Sequence, residues 1–589
     1  MIVALAFLGS SAFADWDGSS SEPKNTREID DKIFYEISNP EELAWFAEQV
    51  NSGKSTINAV LTNDIKFMDD TSKTSSVNWT PIGKDSTVMF NGIFDGAGRT
   101  IYGLSCEQEK VGGLFGFIGS FAVIKNVKSK KFFVKTTALK SYIGSIVAYN
   151  EGFISGCTNE RSAYTTISDT SWVGGIVGWN EGTVWNCLNG NISYKVTEVD
   201  SLRTSRFGGI IGGNQGIVSK CMSKDSLSVF SLHKSFDGGG IVGENKILGN
   251  VSNCESRSAF VVTYNTIATS ICVGGIVGVN DGAVSYCVND GFIASSDKSF
   301  GFDCVGGIVG VNGGEVSNCV NKGNLSFNGT SIGGGLVGQN YRSSWSKAYG
   351  WDLREGLLRN SYNVGIASVG VVLHYEENSY IINCFYDSDV LSGYYSGAPN
   401  IGKSTIAMQK NEFAWNLNTT NGTDTNSGVW SRDSVGYPIF ADSAHKPIYK
   451  IIFDDGLISI RYTTFKGLVN FPETLKIPGK HFLGWFDENN NKVFAGTVFT
   501  KDQTLSAIYT DTVDLMMKTI SSLTWGISTV ARDIWIHSAP VGKSYALFDL
   551  QGKVLAKGRV ESSEMTVSAP RAGSYIIRVG ERSVRVNAR

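Results

Sequence analysis

Six cysteines stand at positions 157, 187, 221, 254, 287 and 319, so the steps between them are 30, 34, 33, 33 and 32 residues. Thiols spaced this evenly can pair as disulfides, hold a metal, or stack as small buried hydrophobes. In-register positions on neighbouring strands lie about 4.8 Å apart, inside the Cα range that a disulfide accepts. Side chains stacked in one direction nevertheless give poor disulfide torsions. No CxxC spacing supports zinc. The main expectation is a buried ladder of thiols, with Cys272 and Cys304 as further members; disulfides are the alternative, and no metal ligand or cofactor is assigned.

Carboxylates offer a second chemistry. An asparagine precedes each cysteine, and the residue after it reads Glu151, Glu181, Gln215, Lys246, Asp281 and Gly313. Glu151 and Glu181 would approach the roughly 5 Å separation of a retaining glycosidase. The drift to Gln, Lys and Gly suits a solvated turn better, and like carboxylates stacked so closely repel. No catalytic residue is assigned. The five histidines (His233, His374, His445, His481, His537) form no HExxH, and Ser145 and Ser285 lack a G-x-S-x-G setting. Aromatic side chains remain as ligand candidates: Trp172, Trp179 and Trp185 in one unit, and Phe207, Phe236 and Tyr286 at comparable places. Facing outward they would stack on sugars; facing inward they are core.

These residues are carried by a repeat. Val173-Gly-Gly-Ile-Val-Gly-Trp-Asn180-Glu-Gly-Thr-Val-Trp-Asn-Cys187 returns as Val273 to Cys287 and again as Val305 to Cys319, with looser copies between. A period of 30 to 34 residues means stacked units that bury their apolar faces only against neighbours. Short β-branched pieces separated by Gly, Asn and Asp read as strands and turns, and no helical-period apolar run interrupts them. Glycine makes up 68 of 589 residues, about 12 % against the usual ~7 %, in pairs once per unit rather than every third residue, which excludes collagen. The predicted fold is all-β: a right-handed parallel β-helix (solenoid), one coil per unit. The Gly-Gly pairs would sit at a corner where a side chain clashes or φ is positive, the Asn-x-Gly would form a left-handed turn, and the asparagines would stack as amide ladders.

The unit resembles the GLUG-motif repeat of bacterial surface and secreted proteins. Its flanks agree: Tyr35 to Leu43, Trp79-Thr-Pro-Ile-Gly83 and Phe94-Asp-Gly-Ala-Gly98 are similar to the leader of such arrays, and Phe413 to Asn418, Trp430 and Gly436-Tyr-Pro-Ile-Phe440 to their closing segment. Further along, Phe482-Leu-Gly-Trp485 and Leu505-Ser-Ala-Ile-Tyr509 resemble the internalin B-type repeat. Phe548-Asp-Leu-Gln-Gly-Lys553 and Gly573-Ser-Tyr-Ile-Ile-Arg-Val579 resemble the C-terminal sorting domain of type IX secretion substrates. The resulting organisation is 1–14 signal peptide, 15–447 β-helix with an N-terminal cap, 448–510 a small β-grasp-like domain, 511–533 linker, and 534–589 a C-terminal antiparallel β-sandwich.

The start of the chain is an apolar stretch ending in Ala12-Phe-Ala14, which reads as a cleaved leader although it lacks a positive n-region; no later stretch spans a bilayer. A net charge of −3, with 52 basic and 55 acidic residues intermixed, gives no basic stripe for nucleic acid. The resemblances imply a monomeric, secreted or outer-surface protein of a Gram-negative bacterium, exported by the type IX machinery. Its partner would be a glycan or a surface or matrix protein, bound without catalysis through the β-helix face. A polysaccharide-active lyase or hydrolase and a purely structural surface spacer are the alternatives.

Overall fold

The computed structural model describes residues 15–68, 70, 72–167, 170–196, 204–231, 235–264, 270–295, 302–327, 333–340, 356–375, 380–391, 401–419, 425–511 and 525–589. The expected leader (1–14) and most of the expected linker lie outside the described residues. The chain divides into two compact units, residues 1–449 with 462–467 and residues 450–461 with 468–589.

The first unit is a parallel β-helix, and one coil shows its construction. Thr170–Gly174 enters an eight-stranded sheet (sheet 1), Val177–Asn180 a nine-stranded sheet (sheet 2) and Thr183–Trp185 a thirteen-stranded sheet (sheet 3). Leu188–Asn189 and Ile192–Val196 then enter an eighteen-stranded sheet (sheet 4). The next coil repeats every position in parallel register: Val173 pairs with Phe207, Asn180 with Asn214, Val184 with Val218 and Asn189 with Ser223. Inward residues (Val173, Ile176, Val177, Val184, Cys187, Tyr194) join one apolar core that runs from Trp16 to Cys384.

Two amide ladders follow the axis. The first links Asn150, Asn180, Asn214, Asn245, Asn280, Asn312 and Asn340 by side-chain hydrogen bonds of 2.6–2.8 Å, each Nδ2 donating to the next Oδ1. The second includes Asn159 to Asn189 and Asn289 to Asn321 to Asn363, at 2.8–2.9 Å. With the next coil's backbone it explains the second glycine of each pair: a Cβ on Gly175 would stand 2.2 Å from the Gly209 carbonyl oxygen and 2.4 Å from Asn189 Oδ1, and one on Gly307 2.2 Å from the Gly335 carbonyl oxygen and 2.3 Å from Asn321 Cγ. The first glycine is required by backbone, since a Cβ on Gly174 would lie 2.0 Å from the Val177 carbonyl.

Of the two reasons foreseen for the glycine pairs, crowding is the operative one; neither Gly174 nor Gly175 is left-handed. The left-handed turn is also displaced from Asn-x-Gly. It falls on the residue before the cysteine position, at Gly156, Asn186, Lys220, Asn253, Tyr286, Asn318, Asn360 and Asn383, with φ between 50° and 62°. Asparagine tolerates that conformation best among side-chain-bearing residues, which is why it dominates there. The Asn of Asn-x-Gly is instead held by its ladder, and Asn150 Oδ1 accepts the Gly152 amide at 2.9 Å.

Helices close both ends. Helix α1 (Pro40–Asn51) is capped by Asn39 Oδ1, which accepts from the Glu42 amide, and Glu42 Oε2 in turn accepts from the Ser38 amide. Proline at the first turn and this reciprocal cap were sequence signals; the helix buries Leu43, Phe46, Ala47 and Val50 over the first coils. At the far end, α2 (Thr405–Met408) and α3 (Asn411–Asn418) pack with Tyr362, Phe385 and Trp430. Such caps stop an open sheet end from pairing with another chain.

In the second unit, Lys450–Asp454, Ile458–Tyr462, Lys480–Phe486, Lys492–Val493 and Gln503–Asp511 form a five-stranded mixed sheet around Phe453 and Trp485, whose rings are 4.8 Å apart. A three-stranded and a four-stranded antiparallel sheet then share one core of Ile534, Ile536, Leu547 and Ile577. Strand Gly526–Val530 belongs to that sandwich, inside the segment expected to be linker, because Trp525 and Ile527 pack into its core.

Candidate functional surface

The third glycine of the repeat shapes the outside of the coil. A Cβ on Gly178 would meet the Ile143 amide nitrogen at 2.7 Å, and one on Gly212 the Val173 nitrogen at 2.4 Å. Sheet 2 therefore lies backbone-to-backbone on sheet 1, and the outward side chains of both meet in a seam. Sheet 1 contributes the register column Tyr142, Trp172, Arg206, Asp237, Cys272 and Cys304. Sheet 2 contributes Phe117, Tyr149, Trp179, Gly213, Glu244, Val279 and Val311.

The seam changes character along the axis. Its first coils are aromatic, with Tyr142 stacked on Trp172 at 5.3 Å and Trp172 edge-on to Trp179 at 5.3 Å. Its middle is ionic. Glu244 Oε2 accepts from Trp172 Nε1 at 3.1 Å and stands 2.8 Å from Arg206 Nε, and Glu244 also pairs with Lys246. Burial opposes ionisation of Glu244, but Arg206, Lys246 and Trp172 hold its carboxyl below the usual range. Burial pushes Asp237 up to about 7 against the pull of Arg206 at 3.6 Å. Opposed shifts in neighbouring carboxyls mark acid–base pairs, but these two are enclosed by their counter-ions, as a structural ion cluster requires.

The carboxylates singled out from sequence are placed one coil apart, since Asn150 pairs with Asn180. Glu151 and Glu181 are exposed, and Glu181 Oε1 is occupied by Tyr149 Oη at 2.7 Å and Trp179 Nε1 at 3.0 Å. Gln215, Lys246 and Asp281 are half-buried at the same turn, and Gly313 is buried. The aromatic candidates divide. Phe207 and Phe236 are core, Trp172 and Trp179 line the seam, Tyr286 occupies a left-handed corner near Phe440, and Trp185 faces outward. All ten cysteines are thiols. Cys384 extends the ladder beyond Cys319, with Ser361 between them, and Cys106 lies in an earlier coil.

Sheet 3 presents the solvated face. Five successive coils each expose one large apolar side chain at or just before this sheet: Phe121, Phe153, Trp185, Ile217 and Leu248, between 39 % and 83 % accessible. Trp185 shares its register column with the half-buried Ser155, Ser219, Ser252 and Ser285. Lys220 Nζ lies 5.4 Å from the Trp185 ring centre. An exposed apolar row of this kind is a common mark of an interaction surface.

Two arrangements escaped sequence reasoning. A cleft of about 430 Å³ at the N-terminal cap is lined by Trp16, Ala47, Glu48, Asn51, Trp79 and Lys84. In the second unit, Ser528 Oγ is 2.6 Å from His537 Nε2, and His537 Nδ1 is 2.6 Å from Glu564 Oε2. The order resembles nucleophile, base and orienting carboxylate. Ser528 and Glu564 are exposed and His537 is half-buried at the edge of a β-sheet, where cross-strand polar pairs are ordinary stabilising contacts. Among the described residues, no cluster of three or more His, Cys, Asp or Glu is arranged to hold a metal ion.

No family model matches the chain, and no curated protein matches it. Among solved structures, a Bacteroides ovatus protein described as a candidate immunoglobulin A1 protease is similar over 70 % of this chain and 93 % of its own, at 16 % identity and a TM-score of 0.33. A likeness that loose says nothing about activity. No described helix is long and apolar enough to cross a membrane.

Proposed function

We propose that this chain is a non-enzymatic recognition protein of the GLUG-repeat type, secreted or displayed on the outer cell surface, that binds a glycan or a surface or matrix protein along sheet 3. The observation that carries the reading is the exposed row Phe121, Phe153, Trp185, Ile217 and Leu248 on consecutive coils. Aromatic rings supply large contact area and stack on sugar faces, while the neighbouring serine hydroxyls donate and accept hydrogen bonds. The five do not share one register column, since Phe153 pairs with Thr183 and Thr183 with Ile217 while Trp185 stands two residues further along its strand. The rigid solenoid still holds them in place, so several weak contacts add along one extended ligand. The Phe548 to Lys553 and Gly573 to Val579 signatures support delivery by the type IX machinery, with the protein acting as a monomer.

The test is retention of the full chain on insoluble polysaccharides, soluble glycans and matrix proteins, with product release assayed in the same wells. Saturable retention that falls at least tenfold in the Phe153→Ala/Trp185→Ala double variant is the expected result. Soluble oligosaccharide accumulating with time would instead favour a polysaccharide-active enzyme. Retention unchanged in the double variant would remove sheet 3 from the account.

A further inference from the structure

We propose that Cys272 and Cys304 are an oxidisable thiol pair, closed by hydroperoxide into an intramolecular disulfide that ties two coils together at the seam. The two residues are directly opposite each other in parallel register on neighbouring strands, Ser270–Gly274 and Phe302–Gly306. Neighbouring strands place such Cα atoms about 4.8 Å apart, within disulfide range; closure requires one thiol to turn out of the stacked direction, since side chains stacked in one direction give poor disulfide torsions.

Register alone does not single them out, because Cys157 to Cys319 are stacked in the same way. Surroundings do. The six ladder thiols are sealed in the main core at 0–1 % exposure, whereas Cys272 and Cys304 are 8 % and 6 % exposed. The pair belongs to a separate cluster with Val279 and Val311 at the seam. Reaction requires the thiolate, and an enclosing apolar core opposes formation of that charge.

The pair also has hydrogen-bond acceptors beside it. Cys304 Sγ donates to Gln339 Oε1 at 3.1 Å, and the Cys272 thiol is hydrogen-bonded to the Asp237 carboxylate. Asp237, held near neutrality by burial, is suited to accept the Cys272 proton. The thiolate then attacks one oxygen of the hydroperoxide. The O–O bond breaks, water leaves from hydrogen peroxide, and Cys272 becomes a sulfenic acid. The Cys304 sulfur displaces the sulfenic oxygen as a second water, forming the S–S bond. Two thiols supply two electrons, and the peroxide takes them.

The experiment uses the full chain, reduced, freed of reductant and titrated with hydrogen peroxide, followed by thiol counting and non-reducing peptide mapping. The thiol count is expected to fall from ten to eight, with the Cys272 and Cys304 peptides joined and the protein about 2 Da lighter. Cys304→Ser should stop at a sulfenic acid on Cys272 that a dimedone probe captures. Asp237→Asn should slow oxidation severalfold with its circular dichroism spectrum unchanged. Cross-links confined to Cys157–Cys319, sulfinic acid without a cross-link, or ten surviving thiols in excess peroxide would each overturn the proposal. The Cys272→Ser/Cys304→Ser variant, still folded by circular dichroism, should lose no thiols; losing two would overturn it as well.

Discussion

Replacing Asn214 with alanine removes the middle of the first amide ladder, and its cost can be worked from the contacts. Asn245 Oδ1 loses its donor at 2.7 Å, Asn180 Nδ2 loses its acceptor at 2.7 Å, and the Gly216 carbonyl loses a donor at 3.1 Å. Asn180 Nδ2 keeps the Gly182 carbonyl at 3.2 Å, and the Gly216 amide keeps the Asn180 carbonyl at 3.2 Å. An ordinary hydrogen bond contributes about 1 kcal/mol net, and a buried polar atom left without a partner costs about 1–3 kcal/mol. The sum for Asn214→Ala is on the order of 4 kcal/mol. Asn340 stands at the ladder's end, bonded to Asn312 at 2.7 Å and to the Gly356 carbonyl at 3.0 Å. Asn340→Ala should therefore cost about half as much. Because stacked coils need not unfold together, local hydrogen exchange is the right assay. Amides of residues 211–217 and 242–249 should exchange on the order of 10³-fold faster in Asn214→Ala, since each 1.4 kcal/mol is about tenfold. Equal effects from Asn214→Ala and Asn340→Ala, or less than a tenfold change at Asn214, would refute the reasoning.

Gly275→Ala would place a Cβ 2.1 Å from the Gly307 carbonyl and 2.4 Å from Asn289 Cγ. The variant should be insoluble or lose several kcal/mol, whereas Gly436→Ala, strained only by its φ of +98° in open space, should stay folded; soluble yield and thermal melting compare them. Asp237 is raised to about 7, so the folded state holds a proton that the unfolded chain gives up near pH 4. Its contribution is complete below the unfolded value and is lost as pH rises from about 4 to about 7. Asp237→Asn should flatten that decline, seen as a smaller change in urea midpoint between pH 5 and 8. Phe153→Ala and Trp185→Ala remove rings that are 40 % and 39 % accessible, so each should cost on the order of 1 kcal/mol of stability while weakening retention; a loss as large as the roughly 3–5 kcal/mol of a core Phe or Trp would mean that the rings are structural.

Much of the β-helix was legible because its information is periodic. Strand pairing repeats every 30 to 34 residues, and each coil needs the same glycines, the same asparagine and the same small apolar residue at the cysteine position. The capping helix was not read although its signals were present: Asn39, Pro40 and Glu42 lie outside the repeat and occur once. The left-handed corner was misplaced because Asn-x-Gly looks locally like a turn, while the residue before the cysteine is Asn in most coils but Lys220 in one and Tyr286 in another, which blurs its signal.

The sequence by itself determined the class of fold, its period, the stacked amides and the buried thiol ladder, since backbone hydrogen bonding leaves a glycine-paired, β-branched repeat few other ways to bury its apolar face. Only the tertiary structure decided which aromatic rings meet solvent. Along one strand Arg206 points to the seam and Phe207 to the core, a difference of one residue in register. Normally that alternation reveals itself as apolar against polar. Here sheet 2 lies on sheet 1 with only glycine between their backbones, so both faces of the strand are buried. Trp172 and Val173 then look equally apolar in the sequence, and the distinction between core, seam and exposed row appears only when the coils are stacked.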